Sequence, residues 1–413
     1  MPDVVNIALV GVGGYGGHYL EPLLNPPEEK KKQIRFVGAI SRSIAKYPER
    51  QKMLENQKVP IYLDLDAFFA ERSADLVVIS SPIHFHCTQT CQALSHGANV
   101  LCEKPLAATV QEARQMMEAE QKSGKFVVIG YQWSFSTAIQ KLKRDIMGGL
   151  FGRPICLKTL VLWPRAETYY GRNNWAGRLR TPDGKWVLDS PIHNATAHYL
   201  HNMFYLLGPN REAGAMPRKV IGELYHANLI ENFDVGMLRC FTDTGVEILF
   251  YSTHAVSVTI GPVSHYEFEN AHIYYGPREE GAQFIARFHD GTIRTYGNPD
   301  AEPHNKIWEA VETVHTGNPV ACGLKAARSQ LLCVNGLQDS MPEIIDFPES
   351  LIKVNGEPGG RQVSVRGLEE TMIQCYDQGI LPSEHGAVSW ARPGRRVDLS
   401  NYRFYPGGTE KSE

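Results

Sequence analysis

A glycine-rich turn near the start of the chain constrains the fold more than any other feature. An apolar run over residues 4–10 enters Gly11-Val12-Gly13-Gly14-Tyr15-Gly16, and a helical pattern follows to about residue 24. In a strand–turn–helix unit, the first glycine allows the tight turn, the second lets backbone approach a pyrophosphate, and the third lets the helix pack closely on the strand. The pattern predicts dinucleotide binding by Gly11, Gly13, Gly14, Tyr15 and Gly16.

The rest of the first 150 residues repeats the alternation of strand and helix. Apolar runs at 35–40, 75–79, 98–102 and 126–129 are separated by helical patterns. This alternation predicts an α/β, doubly wound parallel sheet, the Rossmann arrangement, over residues 1–150. Longer strands follow, so we expect residues 151–340 to form an α+β domain with an open, largely antiparallel sheet. Residues 341–413, rich in Pro and Gly, are predicted to be an extension that wraps the surface.

The end of the second strand bears on the choice of dinucleotide. NAD-binding proteins commonly carry an acid there for the ribose hydroxyl, but this chain has Ser41 and Arg42. A hydroxyl and a planar guanidinium suit a 2′-phosphate, so the sequence favours NADP over NAD, with NAD still possible.

Two further strand ends complete the expected cofactor cleft, since ligands bind at the carboxyl ends of parallel strands. One strand ends at Ser80-Ser81-Pro82, with His86 just beyond, and small residues there would let a cofactor ring lie close. The next ends at Glu103-Lys104-Pro105, where proline stops the pairing. In isolation Lys104 could be a solvated charge, but in this setting it predicts a reactive centre.

A second candidate site lies at Asp189-Ser190-Pro191-Ile192-His193. Ser190 is expected to cap a helix that begins at Pro191, with His193 in the first turn and Asp189 orienting its ring. The helix dipole and the carboxylate would act oppositely on the imidazole, leaving a base that works near neutral pH. A helix turns about 100° per residue, so His198 would lie about 140° from His193, and no metal site is predicted. The alternative is an ordinary helix start with core histidines.

The loop over residues 163–178 is dense in aromatic, amide and guanidinium groups. Aromatic faces can pack on the C–H faces of a sugar while Arg and Asn bind its hydroxyls. Either this loop binds a polyhydroxylated substrate or it only packs at the domain boundary. The candidate substrate-binding residues are Gln132, Trp163, Arg165, Trp175 and Arg178.

Composition narrows the partners. A formal net charge of −3 gives no basic field for nucleic acid, and no long apolar run predicts a membrane span. Eight scattered cysteines without a CxxC pair, and no secretory leader ahead of the first strand, favour a reducing, cytoplasmic location. One face of the second sheet is expected to pair with another copy, as a homodimer or homotetramer.

Together, the GxGxxG turn, Ser80-Ser81-Pro82 with His86, Glu103-Lys104-Pro105 and the Asp189/His193 pair resemble the glucose-fructose oxidoreductase and inositol dehydrogenase family, Gfo/Idh/MocA. The resemblance spans about residues 5–340. It implies an NAD(P)-dependent enzyme that oxidises or reduces a sugar, polyol or related compound, with Lys104 and His193 as catalytic residues and Asp189 as the partner of His193. Many members have Asp-x-Gly-x-His with a later acid, whereas this chain has Pro191 and Thr196 at those positions.

The hypothesis is that His193 takes the hydroxyl proton as hydride leaves, while Lys104 stabilises the developing alkoxide. Two alternatives remain. One is a glycoside hydrolase that keeps its nicotinamide bound and uses transient oxidation; the other is a non-catalytic sugar or cofactor sensor.

Overall fold

The first sheet of the computed structural model, which describes residues 3–276 and 282–409, is parallel throughout. Six described strands lie in the order β3-β2-β1-β4-β5-β6. They are β1 Val5–Val10, β2 Ile34–Ile40, β3 Ile61–Tyr62, β4 Leu76–Ile79, β5 Asn99–Cys102 and β6 Val127–Ile129. The order reverses between β1 and β4, which places a ligand crevice at their carboxyl ends. The predicted Rossmann sheet is confirmed.

Helices flank the strands of this sheet. The helices of this part of the chain are α1 Gly17–Leu24, α2 Glu28–Lys31, α3 Pro48–Asn56, α4 Leu65–Glu71, α5 His86–Ser95, α6 Val110–Ser123 and α7 Thr137–Met147, of which α7 packs against α9 and β14 of the second domain. Thr109 and Glu112 form a capping box that fixes where α6 begins.

The glycine turn has the geometry that its sequence predicts. Gly11 has φ +86°, and a Cβ there would lie 2.6 Å from the carbonyl oxygen of Ser80. A Cβ on Gly16 would lie 1.8 Å from the carbonyl oxygen of Gly11. Only glycine therefore permits the close approach of β1, β4 and the start of α1.

The second sheet is mixed and mostly antiparallel, as predicted. Its ten described strands run β14-β13-β12-β11-β7-β10-β9-β8-β15, with β18 also paired to β8. They are β7 Pro154–Leu162, β8 Pro217–His226, β9 Val235–Thr242, β10 Glu247–Thr253, β11 Ile260–Phe268, β12 Ala271–Tyr275, β13 Phe284–Phe288, β14 Ile293–Gly297, β15 Ile345–Asp346 and β18 Val397–Asp398, while β16 Ile352–Asn355 and β17 Gln362–Val365 form a separate hairpin.

Helices lie on both faces of this second sheet. The helices that follow β7 are α8 Glu167–Gly171, α9 Ala197–Leu206, α10 Asn305–Thr316, α11 Leu324–Ser340 and α12 Leu368–Gln378, of which α10 packs against β1, β4 and β5 of the first sheet. On one face, Thr159 of β7 contacts Met203 of α9. On the other, Lys158 donates to the carbonyl of Tyr376 in α12. The face expected to be open for a second copy is thus partly covered by the chain's own α12.

The carboxyl-terminal extension contacts helices of both domains. The structure describes it as far as residue 409, and residues 410–413 of the predicted extension lie outside the described part. Tyr402 donates to Asp339 of α11 at 2.5 Å, and the backbone of Tyr405 exchanges hydrogen bonds with the side chain of Gln111 in α6 at 2.9 and 3.0 Å. The extension therefore holds α6 of the first domain against the second.

A buried ion pair ties α10 to the first sheet. Lys306 of α10 contacts the carboxylate of Glu103, which follows β5, and their side chains are 2% and 7% exposed. Tyr19 of α1 donates to the same carboxylate at 2.5 Å. Burial opposes the charge of Lys306, but the neighbouring carboxylate outweighs it and raises the pKa of Lys306.

No helix in the described ranges 3–276 and 282–409 has the length and apolar composition needed to cross a membrane.

Replacing Lys306 by Met tests the ion pair. The buried Glu103 carboxylate would be left unpaired, so we expect the free energy of unfolding to fall by about 3–5 kcal/mol. The double variant Glu103→Gln/Lys306→Met should recover much of that loss. Chemical denaturation followed by circular dichroism measures both, with Arg153→Met, which breaks the exposed Arg153–Glu269 pair, as the control. A loss in Lys306→Met no larger than in the control would contradict this prediction.

Candidate functional site

Lys104 lies at the centre of the candidate active site. Its Nζ donates to the backbone carbonyl of Asn194 at 2.7 Å and to the Asn194 side-chain oxygen at 3.1 Å, which joins the end of β5 to the second domain. Burial lowers the pKa of Lys104 to about 8, although the carboxylates of Glu103 and Asp189 act in the opposite direction. This lysine can therefore gain or lose a proton within the pH range in which enzymes ordinarily work.

Asp189 orients Asn194 and not His193, contrary to the sequence-based expectation. Its two carboxylate oxygens accept from the Asn194 amide at 2.7 Å and from the backbone N–H of Gly177 at 2.8 Å, with Arg172 3.5 Å away. Burial raises the pKa of Asp189, and Arg172 opposes that rise. The carboxylate thus reaches Lys104 through Asn194.

The reason is the local backbone. Ser190 caps the helix as predicted, accepting from the backbone N–H of His193 at 3.2 Å. Residues Pro191–Ala195, however, form a π-helical turn before α9 begins at Ala197. The wider turn changes the direction of the side chains, so the angle of about 140° calculated between His193 and His198 of α9 does not apply.

His193 is fully buried, and neither ring nitrogen has a hydrogen-bond partner among the described residues. Burial and then the charge of Lys104 lower the pKa of His193 to about 3, while the nearby Ala107 backbone acts in the opposite direction. The balance near neutral pH expected from sequence is not found. The ring is neutral, and its unprotonated nitrogen can accept a proton from a substrate hydroxyl.

His86 links the two loops that border the cleft. One ring nitrogen lies 2.8 Å from the Pro105 carbonyl oxygen and the other 2.9 Å from that of Ser81. Burial lowers its pKa, so the neutral ring donates to one carbonyl at a time. His86 is 1% exposed and is therefore suited to positioning these loops, with Ser80 and Pro82 beside them.

The remaining cofactor candidates border the same crevice. Tyr15 donates to Gln132 at 3.0 Å, and Gln132 donates to Asp300 at 3.3 Å. Arg42, after β2 and Ser41, forms an exposed ion pair with Asp64 at 3.2 Å. The glycine turn after β1, with Ser41 after β2 and Ser80 and Ser81 after β4, fits a dinucleotide, because no atom of the described residues lies within 4 Å of a Cβ placed on Gly14. The Tyr47 side chain lies against Gly13, with its hydroxyl oxygen 2.6 Å from a Cβ placed there.

The structure divides the predicted substrate loop into two parts. Trp163 and Arg165 lie together, with the Arg165 guanidinium carbon 5.6 Å from the tryptophan ring centroid. Trp175 packs on the small cluster of Ile83, Ala108 and Val187, at the contact between the two domains. Arg178 pairs with Glu231 at 2.6 Å on the surface.

Three residues were missed by sequence reasoning. Asn194 holds Lys104, Arg172 lies against Asp189, and buried His254 accepts from or donates to Tyr170 at 3.2 Å. Asn194 and Arg172 stood inside the segments that sequence had singled out. His254, at the end of a strand 84 positions from Tyr170, had no local signal.

The first part of the chain is similar to a known family of oxidoreductases. A family model described as an oxidoreductase family with an NAD-binding Rossmann fold, GFO_IDH_MocA, matches residues 5–131. This part of the chain is similar to the Gfo/Idh/MocA oxidoreductases, as the sequence motifs predicted. Among its relatives are a 1,5-anhydro-D-fructose reductase of Ensifer adhaerens, 24% identical over 63% of this chain and 82% of the relative, and a 2,7-anhydro-N-acetylneuraminate hydratase of Mediterraneibacter gnavus, 24% identical over 52% of this chain. This chain spans 51% of that hydratase.

The fold agrees with solved structures. The WlbA dehydrogenase from Bordetella pertussis, solved in complex with NADH and UDP-GlcNAcA, superposes with a TM-score of 0.68 at 18% identity, over 82% of this chain and 97% of that one. The predicted fold class, a parallel Rossmann sheet followed by a mostly antiparallel second sheet, is confirmed.

Chemical labelling tests the environment of Lys104. A lysine reacts with acetic anhydride only as the neutral amine, and exposed lysines titrate near about 10.4. We expect Lys104 to be unreactive well below pH 8 and to label half-maximally near pH 8, because its pKa is lowered to about 8. Peptide mass spectrometry after short pulses measures this, with exposed Lys122 as the internal reference. Equal pH midpoints for the two lysines would contradict the prediction.

Proposed function

We propose that this protein is an NAD(P)-dependent oxidoreductase that transfers hydride between nicotinamide and a hydroxyl- or carbonyl-bearing carbon of a sugar, polyol or related compound. The observation that supports it most is the hydrogen bond from Lys104 to Asn194. This bond holds the lysine between the domain that carries the glycine turn and the domain that carries buried His193, whose ring nitrogens accept and donate no hydrogen bond among the described residues. The relatives named for anhydro sugars support the substrate class.

Each residue in the cleft then has a separate task. A nicotinamide bound on the Gly11–Gly16 turn would supply or accept the hydride. Lys104 donates to the oxygen of the reacting carbon and stabilises negative charge as it develops. His193, neutral before the reaction, receives the hydroxyl proton during oxidation and returns it during reduction. Asp189 and Asn194 are positioning residues that hold the Lys104 amine.

The basicity of His193 must increase when substrate binds. Its pKa is lowered to about 3 because burial and the charge of Lys104 disfavour the imidazolium. A developing alkoxide beside the ring would offset the charge of Lys104 and favour proton transfer. Proton transfer and oxyanion stabilisation therefore depend on each other in this site.

Variants of the two catalytic candidates test the proposal. We expect Lys104→Met to lower kcat by about 10²–10³-fold, as does removal of an oxyanion donor, and His193→Gln to lower it by about 10²–10⁴-fold. Turnover of the unmodified protein should fall as pH rises past about 8, where Lys104 loses its charge. A panel of sugars, polyols and glycosides, followed by nicotinamide absorbance and by released sugar, supplies the assay.

The matched controls are Lys122→Met and His289→Gln, which change exposed residues outside the cleft. Near wild-type turnover in Lys104→Met or His193→Gln would exclude that residue's role. Sugar release without net change in absorbance would indicate the bound-nicotinamide glycoside hydrolase, and binding without turnover the sensor.

For the cofactor, we propose a preference for NADP through Ser41 and Arg42. Arg42 is exposed at the end of β2, and Asp64 is its only ion-pair partner among the described residues. A 2′-phosphate would replace that carboxylate as the partner of the guanidinium.

Two substitutions at this pair have opposite expected effects. Arg42→Ala should weaken NADPH binding by about tenfold and leave NADH binding unchanged, since a hydrogen bond to a charged group contributes about 1.5–3 kcal/mol. Asp64→Asn keeps the cap on α4 but removes the competing carboxylate, so it should tighten NADPH binding. Fluorescence titration measures both. Equal affinities of the unmodified protein for NADPH and NADH would refute the preference.

We also propose a homodimer or homotetramer formed by the part of the second sheet that α12 leaves uncovered, near β14, where Ile293 is 57% exposed. The eight cysteines are free, which supports a cytoplasmic location.

A further inference from the structure

Positive charge exceeds negative charge on the substrate side of the cleft. The guanidinium carbons of Arg165 and Arg172 lie 5.0 Å and 3.7 Å from the ring centroid of Tyr169. Arg172 lies 3.5 Å from Asp189, the carboxylate that also holds Asn194 and, through it, Lys104. Among the described residues, Arg165, Arg172 and Lys104 therefore have only the Asp189 carboxylate near them in this cluster, because Glu103 is already paired with Lys306.

Arg165 is the cation without a counter-ion. Among the described residues no carboxylate pairs with it; one of its terminal nitrogens donates to the Pro164 carbonyl at 3.3 Å. Its Nε is buried and has no hydrogen-bond partner among those residues. A buried donor without a partner is costly, so the arrangement is incomplete without an acceptor.

The groups packed around Arg165 do not supply that acceptor as a charge. His254 is 1% exposed, and burial, followed by Arg165 and Arg172, lowers its pKa well below the ordinary value, so it is neutral. Tyr169 lies between the two guanidiniums, and burial followed by Asp189 raises its pKa, so it too is neutral. The cluster remains reachable, because the side chain of Arg172 is 29% exposed.

We propose that Arg165 and Arg172 bind a carboxylate of the substrate, which makes the substrate an acidic sugar or polyol derivative such as a uronic or aldonic acid. The inference rests on the proposed function for the place of this cluster in the substrate cleft. The planar guanidinium of Arg165 presents paired donors that match a carboxylate, and Trp163 and Tyr169 offer aromatic faces to the rest of the molecule. Lys104 remains available for the oxygen of the reacting carbon.

Equilibrium binding tests this proposal independently of turnover. Calorimetry would compare matched acid and neutral pairs, namely D-glucuronate with D-glucose, D-galacturonate with D-galactose and D-gluconate with sorbitol, each with the oxidised cofactor present. We expect at least one acid to bind about tenfold or more tightly than its neutral partner. Arg165→Gln and Arg172→Gln should each reduce that preference to near one. Arg165→Lys, which keeps the charge but loses the fork, should retain part of the preference.

Arg153→Gln is the matched control, since this exposed arginine precedes β7 whereas Arg165 follows it. The preference should be unchanged in this variant. The proposal would be overturned if every acid bound no more tightly than its neutral partner, or if no acid bound at all. A preference for the acid that survives in both Arg165→Gln and Arg172→Gln would also overturn it. Acid binding without hydride transfer would support the carboxylate site and count against the proposed function alone.

Discussion

The buried ion pair between Glu103 and Lys306 fixes the geometry on which the rest of the site depends. Charges so far from water are tolerated only when partners surround them, and the Glu103 carboxylate also accepts from Tyr19 and from the backbone N–H of Lys104 at 3.2 Å. A Cβ on Gly130 would lie 2.7 Å from its Oε1, so the end of β6 must carry a glycine to leave room. One carboxylate thereby joins β5, β6, α1 and α10.

This constraint determines where the neighbouring lysine can be. With the Glu103 side chain held on one side of the strand end, Lys104 extends to the second domain and reaches Asn194. Asn194 is held in turn by Asp189, and Asp189 by the backbone of Gly177. The buried Glu103 carboxylate in the first domain and the Asn194 side chain held in the second thus fix the position of the hydrogen bond between Lys104 and Asn194.

Sequence patterns correctly predicted those parts of the molecule that depend on contacts between residues close in sequence or on positions that require glycine. The Gly11 and Gly16 contacts and the Ser190 cap each depend on residues close in sequence or on the need for glycine. The partner of Glu103 could not be found in this way, because Lys306 is 203 positions further along. Asp189 was expected to orient His193 because a regular helix was assumed, and a single π-helical turn gives that partnership to Asn194 instead.

The central claim is that hydride passes between a carbohydrate carbon and nicotinamide beside Lys104. The most direct measurement is the fate of deuterium when the protein is incubated with oxidised cofactor and sugars or polyols deuterated at their carbinol carbons, with the cofactor then analysed by NMR. The account predicts deuterium at C4 of the reduced nicotinamide, on one face only, with the rate of transfer lowered by about 10²–10³-fold in Lys104→Met. Reduced cofactor without deuterium, or undiminished transfer in that variant, would contradict it.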